Sequence, residues 1–215
     1  MIKATDFQAV LFDLDGTITD PKEGIINSIL YAVKKKGFNE ENPNELDCFI
    51  GPPLHTSFQK RYQVTESEAF EMVSLYREYY AKKGIFECYL YDGIRELLEQ
   101  LFEADVFLSL ATSKPIVYAD QLLRHFDLEG YFSFTAGSNM DGSRTDKKEV
   151  IAFALDHIPP FEKDEILMVG DREFDIEGGN YHHLKTAWAA WGYGEEDIIL
   201  AHQPDFIFQS AAEMV

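Results

Sequence analysis

The sequence predicts an α/β fold: a doubly wound parallel sheet, with an all-helical domain inserted after the first strand. Three observations carry this prediction. From about residue 87 onward, short apolar runs bounded by turn residues alternate with stretches of helical period, as in strands covered by helices on both faces. Residues from about 20 to 85 show helical periodicity alone. Several apolar runs end abruptly in an acid or a hydroxyl, and in an open parallel sheet those ends lie along one edge, where ligands bind.

Ala9-Val10-Leu11-Phe12 reads as a buried strand ending in Asp13, with Gly16 supplying a turn. Asp20 or Thr19 would cap the next helix, with Pro21 in its first turn. Ile25, Ile26, Ile29, Leu30 and Val33 recur at helical spacing, and Gly37 ends the run. Residues 39–44 are turn-like, and Phe49-Ile50-Gly51-Pro52-Pro53-Leu54 interrupts the helical pattern. Helices are predicted over residues 54–62 and 66–83, the second with Ala69, Met72, Val73, Tyr76 and Tyr80 on its apolar side.

Beyond Tyr91-Asp92-Gly93 a helix carries Ile94, Leu97, Leu98 and Leu101. Residues 106–111 form the second predicted core strand, which runs into Thr112-Ser113-Lys114-Pro115 and a helix with Val117, Leu122, Leu123 and Phe126 inward. A short strand follows at 132–136, a helix at 147–156, and a strand at 165–169 that leads straight into Gly170-Asp171. A helix to about Tyr181, a strand at 186–190 and a weak strand at 206–208 complete the order. The core is thus assigned to residues 1–18 and 87–215, and the helical domain to 19–86.

The chain has 215 residues, 46% of them hydrophobic, enough for one core with a smaller lobe. No apolar run reaches the length of a membrane span, and no basic flank with an apolar block opens the chain, so the expected location is cytoplasmic. Cys48 and Cys88 form no Cys-x-x-Cys pair and read as reduced thiols. A net charge of −19 argues against nucleic acid or an anionic membrane as partner. It also means that any phosphate site must be locally positive.

The chemistry concentrates at the strand ends. Asp13 and Asp15 are two apart in an extended segment and face one pocket, with Leu14 turned inward between them. Carboxylates that close repel unless a proton or a cation lies between them, and a hard oxygen-seeking cation such as Mg²⁺ suits the pair. On its own, Asp-Leu-Asp-Gly is equally well a polar turn. Thr112 ends the second strand with a hydroxyl, and the N–H groups of Ser113 and Lys114, taken as opening the next helix, would hold a phosphate oxygen. An ordinary helix cap is the plainer reading of that pair. Lys147 and Lys148 both stand at a helix start, where most lysines are simply solvated. Asp171 and Asp175 are four apart, which on a helix places them on one face, or makes them acids favoured by the helix dipole.

Taken together and in order, Asp13-Leu14-Asp15-Gly16-Thr17, Thr112, Lys147 and Gly170-Asp171 with Asp175 resemble the four motifs of the haloacid dehalogenase-like hydrolases, over nearly the whole chain. The helical insertion, the 49–54 segment and Tyr91-Asp92-Gly93-Ile94 are similar to the phosphoglycolate phosphatase-like and β-phosphoglucomutase-like branch. The resemblance implies a Rossmann-like core with a helical cap, acting as a phosphoric monoester hydrolase on a small phosphorylated metabolite, as a monomer or homodimer. It implies Asp13 as nucleophile, Asp15 as general acid and base, and Thr112 and Lys147 as phosphoryl-binding catalytic groups. Lys147 is preferred to Lys148 because Val150 and Ile151 set the helix register, although the Lys-Pro pair common in relatives is missing. Mg²⁺ is implied between a carboxylate oxygen of Asp13, the backbone carbonyl of Asp15, and Asp171, with Asp175 behind. Gly51 lies in the loop similar to that branch's substrate-reaching cap loop and is an implied substrate contact; Ser113, through its N–H, and His55, just past the loop, are read from their positions as further substrate contacts. The alternatives are a phosphosugar mutase using the same residues, and a non-catalytic phospho-acceptor module, against which Asp15 and the helical domain both count.

Overall fold

A computed structural model describes residues 2–215. In chain order the elements are β1 (Ala9–Phe12), β2 (Thr19–Asp20), α1 (Lys22–Lys35), α2 (Leu54–Tyr62), α3 (Glu66–Tyr80), β3 (Tyr89–Leu90), α4 (Ile94–Glu103), β4 (Phe107–Pro115) and α5 (Ile116–His125). There follow β5 (Phe134–Ser138), α6 (Lys147–Leu155), β6 (Ile166–Gly170), α7 (Glu173–Tyr181), β7 (Lys185–Ala189), α8 (Glu196–Ala201) and β8 (Phe206–Phe208), with short 3-10 turns between. The chain divides into two compact units, one formed by the chain up to Thr19 together with Leu90–Val215, the other by Asp20–Tyr89. Among the described residues, no helix is long and apolar enough to cross a membrane.

The first unit is an α/β sandwich with a Rossmann-like core. Its six-stranded sheet has the order β5-β4-β1-β6-β7-β8, and every pairing is parallel. β1 lies between β4 and β6, and all four of its residues are buried. That burial on both faces is why it reads as an uninterrupted apolar run rather than an alternating one. Ala9, Leu11, Ala111, Val150, Ile151, Ile166 and Met168 form one layer of the core, joining the sheet to α6.

The strand register decides where the polar ends stand. Phe12 pairs with Leu110 of β4 and with Val169 of β6. The next residues of the three strands, Asp13, Ala111 and Gly170, therefore leave the sheet at one level. Thr112 and Asp171 lie one residue further along.

The predicted elements differ from the observed ones at identifiable points. Ser113 and Lys114 do not open a helix: β4 stays extended to Pro115, with a register irregularity between Ala111 and Pro115, and α5 starts at Ile116. The proline disfavours a helical conformation at Lys114 and so holds the extended chain on. Tyr118, Ala119, Leu122 and Leu123 are the buried face of α5, while Val117, expected inward, is exposed because at 3.6 residues per turn it falls off that face. α3 ends at Tyr80 rather than near 83. The short β2, β3 and α8 have no counterpart in the sequence reading, since two to six residues show no resolvable period.

The second unit is helical. Ile29 and Ala32 of α1, Phe58 of α2, and Ala69 and Met72 of α3 are fully buried. Thr65 caps α3 in a reciprocal box with Glu68. Gly24 and Gly84 permit the closest approach in this unit: a Cβ on Gly24 would lie 1.8 Å from the carbonyl oxygen of Gly84. The segment before α2 is tied down by Glu40, whose side chain is only 5% exposed. Arg61 donates to its carboxylate through Nη2 at 2.8 Å and Nε at 3.3 Å, and the Tyr62 hydroxyl donates to the same group.

The Arg61 hydrogen bonds hold the Glu40 carboxyl down at about 2. An unfolded glutamate titrates near ~4.3, so the stabilisation is complete above that pH and disappears as the pH falls towards about 2. Glu40→Ala should lower stability at pH 7 by about 1–3 kcal/mol. Thermal melts of variant and wild type should converge between about pH 4 and 2. A constant gap across that range would show that Glu40 acts through packing and not through its charge.

Candidate active site

Asp13 leaves β1 with its backbone N–H bonded to the Val169 carbonyl at 2.9 Å, so the neighbouring strand fixes where the residue stands. Its Oδ1 accepts from the Leu14 N–H at 2.7 Å and pairs with Lys147 Nζ at 3.0 Å. Leu14 is fully buried, as its inward turn requires. Lys147 is the first residue of α6, and its side chain is 4% exposed. The same ammonium pairs with Asp175 Oδ1 at 2.7 Å and donates to the Ala111 carbonyl at 3.0 Å, so three elements meet on one cation. Gly178 of α7 makes room for it, since a Cβ there would lie 3.1 Å from Lys147 Cγ. Lys148, in contrast, bonds Glu177 at the surface.

Asp171 follows β6 directly and is fully buried. Its Oδ2 accepts from the Tyr193 N–H at 2.8 Å, while Oδ1 is buried with no hydrogen-bond partner. Asp175 is equally buried and accepts from the Arg172 N–H at 3.0 Å. Asp171 and Asp175 do not share a helical face, because α7 begins only at Glu173 and Asp171 lies in the bend before it. A cap-like turn brings them together instead: Asp175 folds back on Arg172, and Gly170 lies so close that a Cβ there would be 2.1 Å from Asp175 Cγ.

Carboxylate oxygens of Asp13, Asp171 and Asp175 lie within 4.8 Å of one another. Burial raises Asp171 well above the ordinary aspartate range, and the charges of Asp175 and Asp13 raise it further. Burial also raises Asp175, against the opposing pull of Lys147. Burial alone would lower Lys147, but Asp13 and Asp175 outweigh it and keep the ammonium protonated. A buried acid with one unpartnered oxygen, beside two others, is a donor set suited to a hard divalent cation.

Asp15 is placed differently. Its carboxylate lies outside that cluster: Oδ2 pairs with Lys114 Nζ at 2.5 Å, and Oδ1 accepts from the Thr19 hydroxyl at 3.3 Å. Any part it takes in a metal site falls to its backbone carbonyl. Lys114, whose side chain is 5% exposed, is the residue that sequence reasoning misses, although it stands inside the Thr112-Ser113-Lys114 stretch. Thr112 is buried and its hydroxyl accepts from the Lys114 N–H at 3.2 Å; Ser113 is half-buried beside it. The strand ends thus hold two buried ammonium groups in a strongly acidic chain. Gly51 and His55 belong to the helical unit. Gly51 has φ +102°, and His55 stacks on Phe70 with ring centroids 5.0 Å apart.

The family model described as haloacid dehalogenase-like hydrolase matches residues 10–189. A 5'-nucleotidase from Pseudomonas aeruginosa is 41% identical over 201 residues, covering 94% of this chain and 90% of the relative. The tyrosine-protein kinase PtkA of Mycobacterium tuberculosis is 38% identical over 89% of this chain, which spans 65% of that longer protein. Among solved structures, a haloacid dehalogenase-like family hydrolase from Streptococcus pneumoniae superposes with a TM-score of 0.89 at 31% identity, covering 97% of each chain.

The raised Asp171 has a consequence for the metal-free protein. The folded state holds its proton more tightly than the unfolded chain does, so its contribution to stability falls as pH rises. Asp171→Asn is nearly isosteric and removes one charge from the cluster. It should stabilise the metal-free protein at pH 7 by on the order of 1–3 kcal/mol. That gain should fade towards pH 4, where the wild-type carboxyl is also neutral. Melting curves in excess chelator across this range test it, and a variant less stable than wild type at pH 7 would refute the crowding argument.

Proposed function

The chain belongs to the haloacid dehalogenase-like hydrolases and is a phosphoric monoester hydrolase, and from that premise we propose that it cleaves small-molecule phosphate monoesters with Mg²⁺ through a phosphorylated Asp13. The observation that carries this reading is the state of the Asp13 carboxylate. Its Oδ1 is engaged by Leu14 and Lys147, which leaves Oδ2 as the oxygen for in-line attack on phosphorus.

In the first step an Asp13 oxygen bonds to phosphorus and the ester P–O bond breaks. The departing alkoxide takes the proton that Asp15 must carry on Oδ1 when the ester binds, Oδ2 being held by Lys114. In the second step a water attacks the aspartyl phosphate, gives its proton to Asp15 and releases inorganic phosphate and free Asp13. Lys114, bonded to the Asp15 carboxylate, keeps that side chain aimed. Thr112 and Lys147 lie against the same strand ends and would share the charge on the equatorial phosphoryl oxygens. Asp13, the Asp15 carbonyl, Asp171 and Asp175 would hold the metal ion, which when bound supplies positive charge to the phosphoryl group.

For substrate choice we assign the helical domain, residues 19–86, the role of a cap. The Gly51-Pro52-Pro53 loop, with His55 just after it, is its substrate-reading segment. Two prolines stiffen the loop, and the positive φ of Gly51 is a conformation few other residues accept. The Pseudomonas relative's name, 5'-nucleotidase, supports testing nucleoside monophosphates beside phosphoglycolate and sugar phosphates.

Asp13→Asn should abolish turnover of an aryl phosphate with the fold intact, and near-wild-type activity in the folded variant would end the nucleophile assignment. Lys147→Ala should cost about 10²–10³-fold in kcat, while Lys148→Ala should stay within about twofold of wild type, as expected of an exposed pair. The reverse outcome would reassign the lysine. Gly51→Ala and His55→Ala should alter relative rates among phosphoglycolate, sugar phosphates and nucleoside monophosphates more than they alter aryl phosphate hydrolysis. A single common factor across all esters would make the loop structural.

A further inference from the structure

The segment Trp191-Gly192-Tyr193-Gly194, which follows β7, belongs to none of the four motifs, and its tryptophan reads from sequence as a packing residue. Its contacts are not those of packing alone. Trp191 Nε1 donates to the Thr17 carbonyl at 3.0 Å, reaching the turn that carries Asp13 and Asp15. Two residues later the Tyr193 N–H donates to Asp171 Oδ2 at 2.8 Å. Gly192 is wedged between the two: a Cβ there would lie 2.2 Å from Asp171 Cβ and 2.4 Å from the Gly16 carbonyl oxygen. A Cβ on Gly194 would lie 2.1 Å from the Asp171 carbonyl oxygen, and one on Gly16 2.2 Å from Asp171 Oδ2. The base of the turn is anchored by the Ala190 N–H on the Phe208 carbonyl at 2.9 Å. Glycines 16 and 192 close in on the Asp171 side chain and Gly194 on its backbone, but the hydrogen bond from this turn falls on Oδ2, and Oδ1 is buried without a hydrogen-bond partner.

We propose that the Trp191–Gly194 turn is a positioning element of the metal site, locking Asp171 so that Oδ1 is the oxygen presented to a divalent cation. This rests on the reading of Asp13, Asp171 and Asp175 as metal ligands. A carboxylate held by one oxygen in a fixed N–H bond cannot rotate to spend both oxygens on protein donors, so the cation meets a ligand already oriented. The Trp191 bond to Thr17 ties that orientation to the loop bearing Asp13, so the two sides of the site move as one piece.

The test compares wild type, Trp191→Phe, Gly192→Ala and Asp171→Ala. It reads Mg²⁺ affinity by calorimetry without substrate, together with the thermal midpoint in chelator and in Mg²⁺. Trp191→Phe keeps an aromatic ring and loses the donor. It should leave the chelated midpoint within about 2–3 °C of wild type while weakening Mg²⁺ binding on the order of 10-fold. Gly192→Ala displaces Asp171 directly and should weaken binding further, towards about 100-fold. If Trp191→Phe lowers the chelated midpoint but binds Mg²⁺ as tightly as wild type, the turn is only structural and the proposal falls. If wild type and Asp171→Ala alike bind no Mg²⁺, the metal reading itself fails and takes the positioning role with it.

Discussion

The bonds from Lys147 to Asp13 and Asp175 hold together groups that would otherwise force each other apart. Two ionised carboxylates a few ångströms apart in a dry interior repel strongly, and here a third lies within reach. Placing an ammonium between two of them offsets part of that repulsion, while burial and the remaining repulsion hold Asp171 well above the ordinary aspartate range. Breaking a buried pair by deleting one partner is costly because an uncompensated charge stays behind. Much of the surrounding architecture serves this one arrangement. The parallel register brings Asp13 and Gly170 to one level, and the start of α6 delivers the lysine.

A second cation repeats the device a short distance along the chain. Lys114 neutralises Asp15 much as Lys147 neutralises Asp13, so neighbouring acids on one turn each have their own ammonium. The Asp15 carboxylate stands outside the three-acid cluster. The pairing of each acid with a lysine also lessens the conflict between a chain of net charge −19 and an anionic substrate. The overall field repels a phosphate ester at long range, while screening at physiological salt limits that field to roughly 8 Å. Within that distance the two lysines offset the charges of Asp13 and Asp15.

Most of the α/β order is legible in the sequence because buried parallel strands are apolar throughout and their polar ends stand out. Asp13, Thr112 and Asp171 can be picked out for that reason. What the sequence does not disclose depends on three-dimensional closeness between distant residues. Lys114 looks like any lysine until β4 is seen to stay extended past Thr112, so that the side chain meets Asp15, 99 residues earlier. The Asp171–Asp175 relation is right as a spacing and wrong in its reason, because a capping turn does what a helix face is expected to do. Trp191 carries no signal, since an indole donor that finds a carbonyl 174 positions away leaves no periodic trace.

The glycines packed about the acids have a consequence for how this protein can change. At residues 16, 170, 192 and 194 even one added carbon would overlap an aspartate of the cluster or its backbone. Three of these four have a backbone conformation that any residue adopts, so it is space and not flexibility that excludes other side chains there. Such positions bear no chemistry of their own, yet a side chain at any of them would push into the acids they surround. Laboratory evolution towards new esters would therefore find this wall of the pocket frozen, and its gains would have to come from elsewhere in the chain.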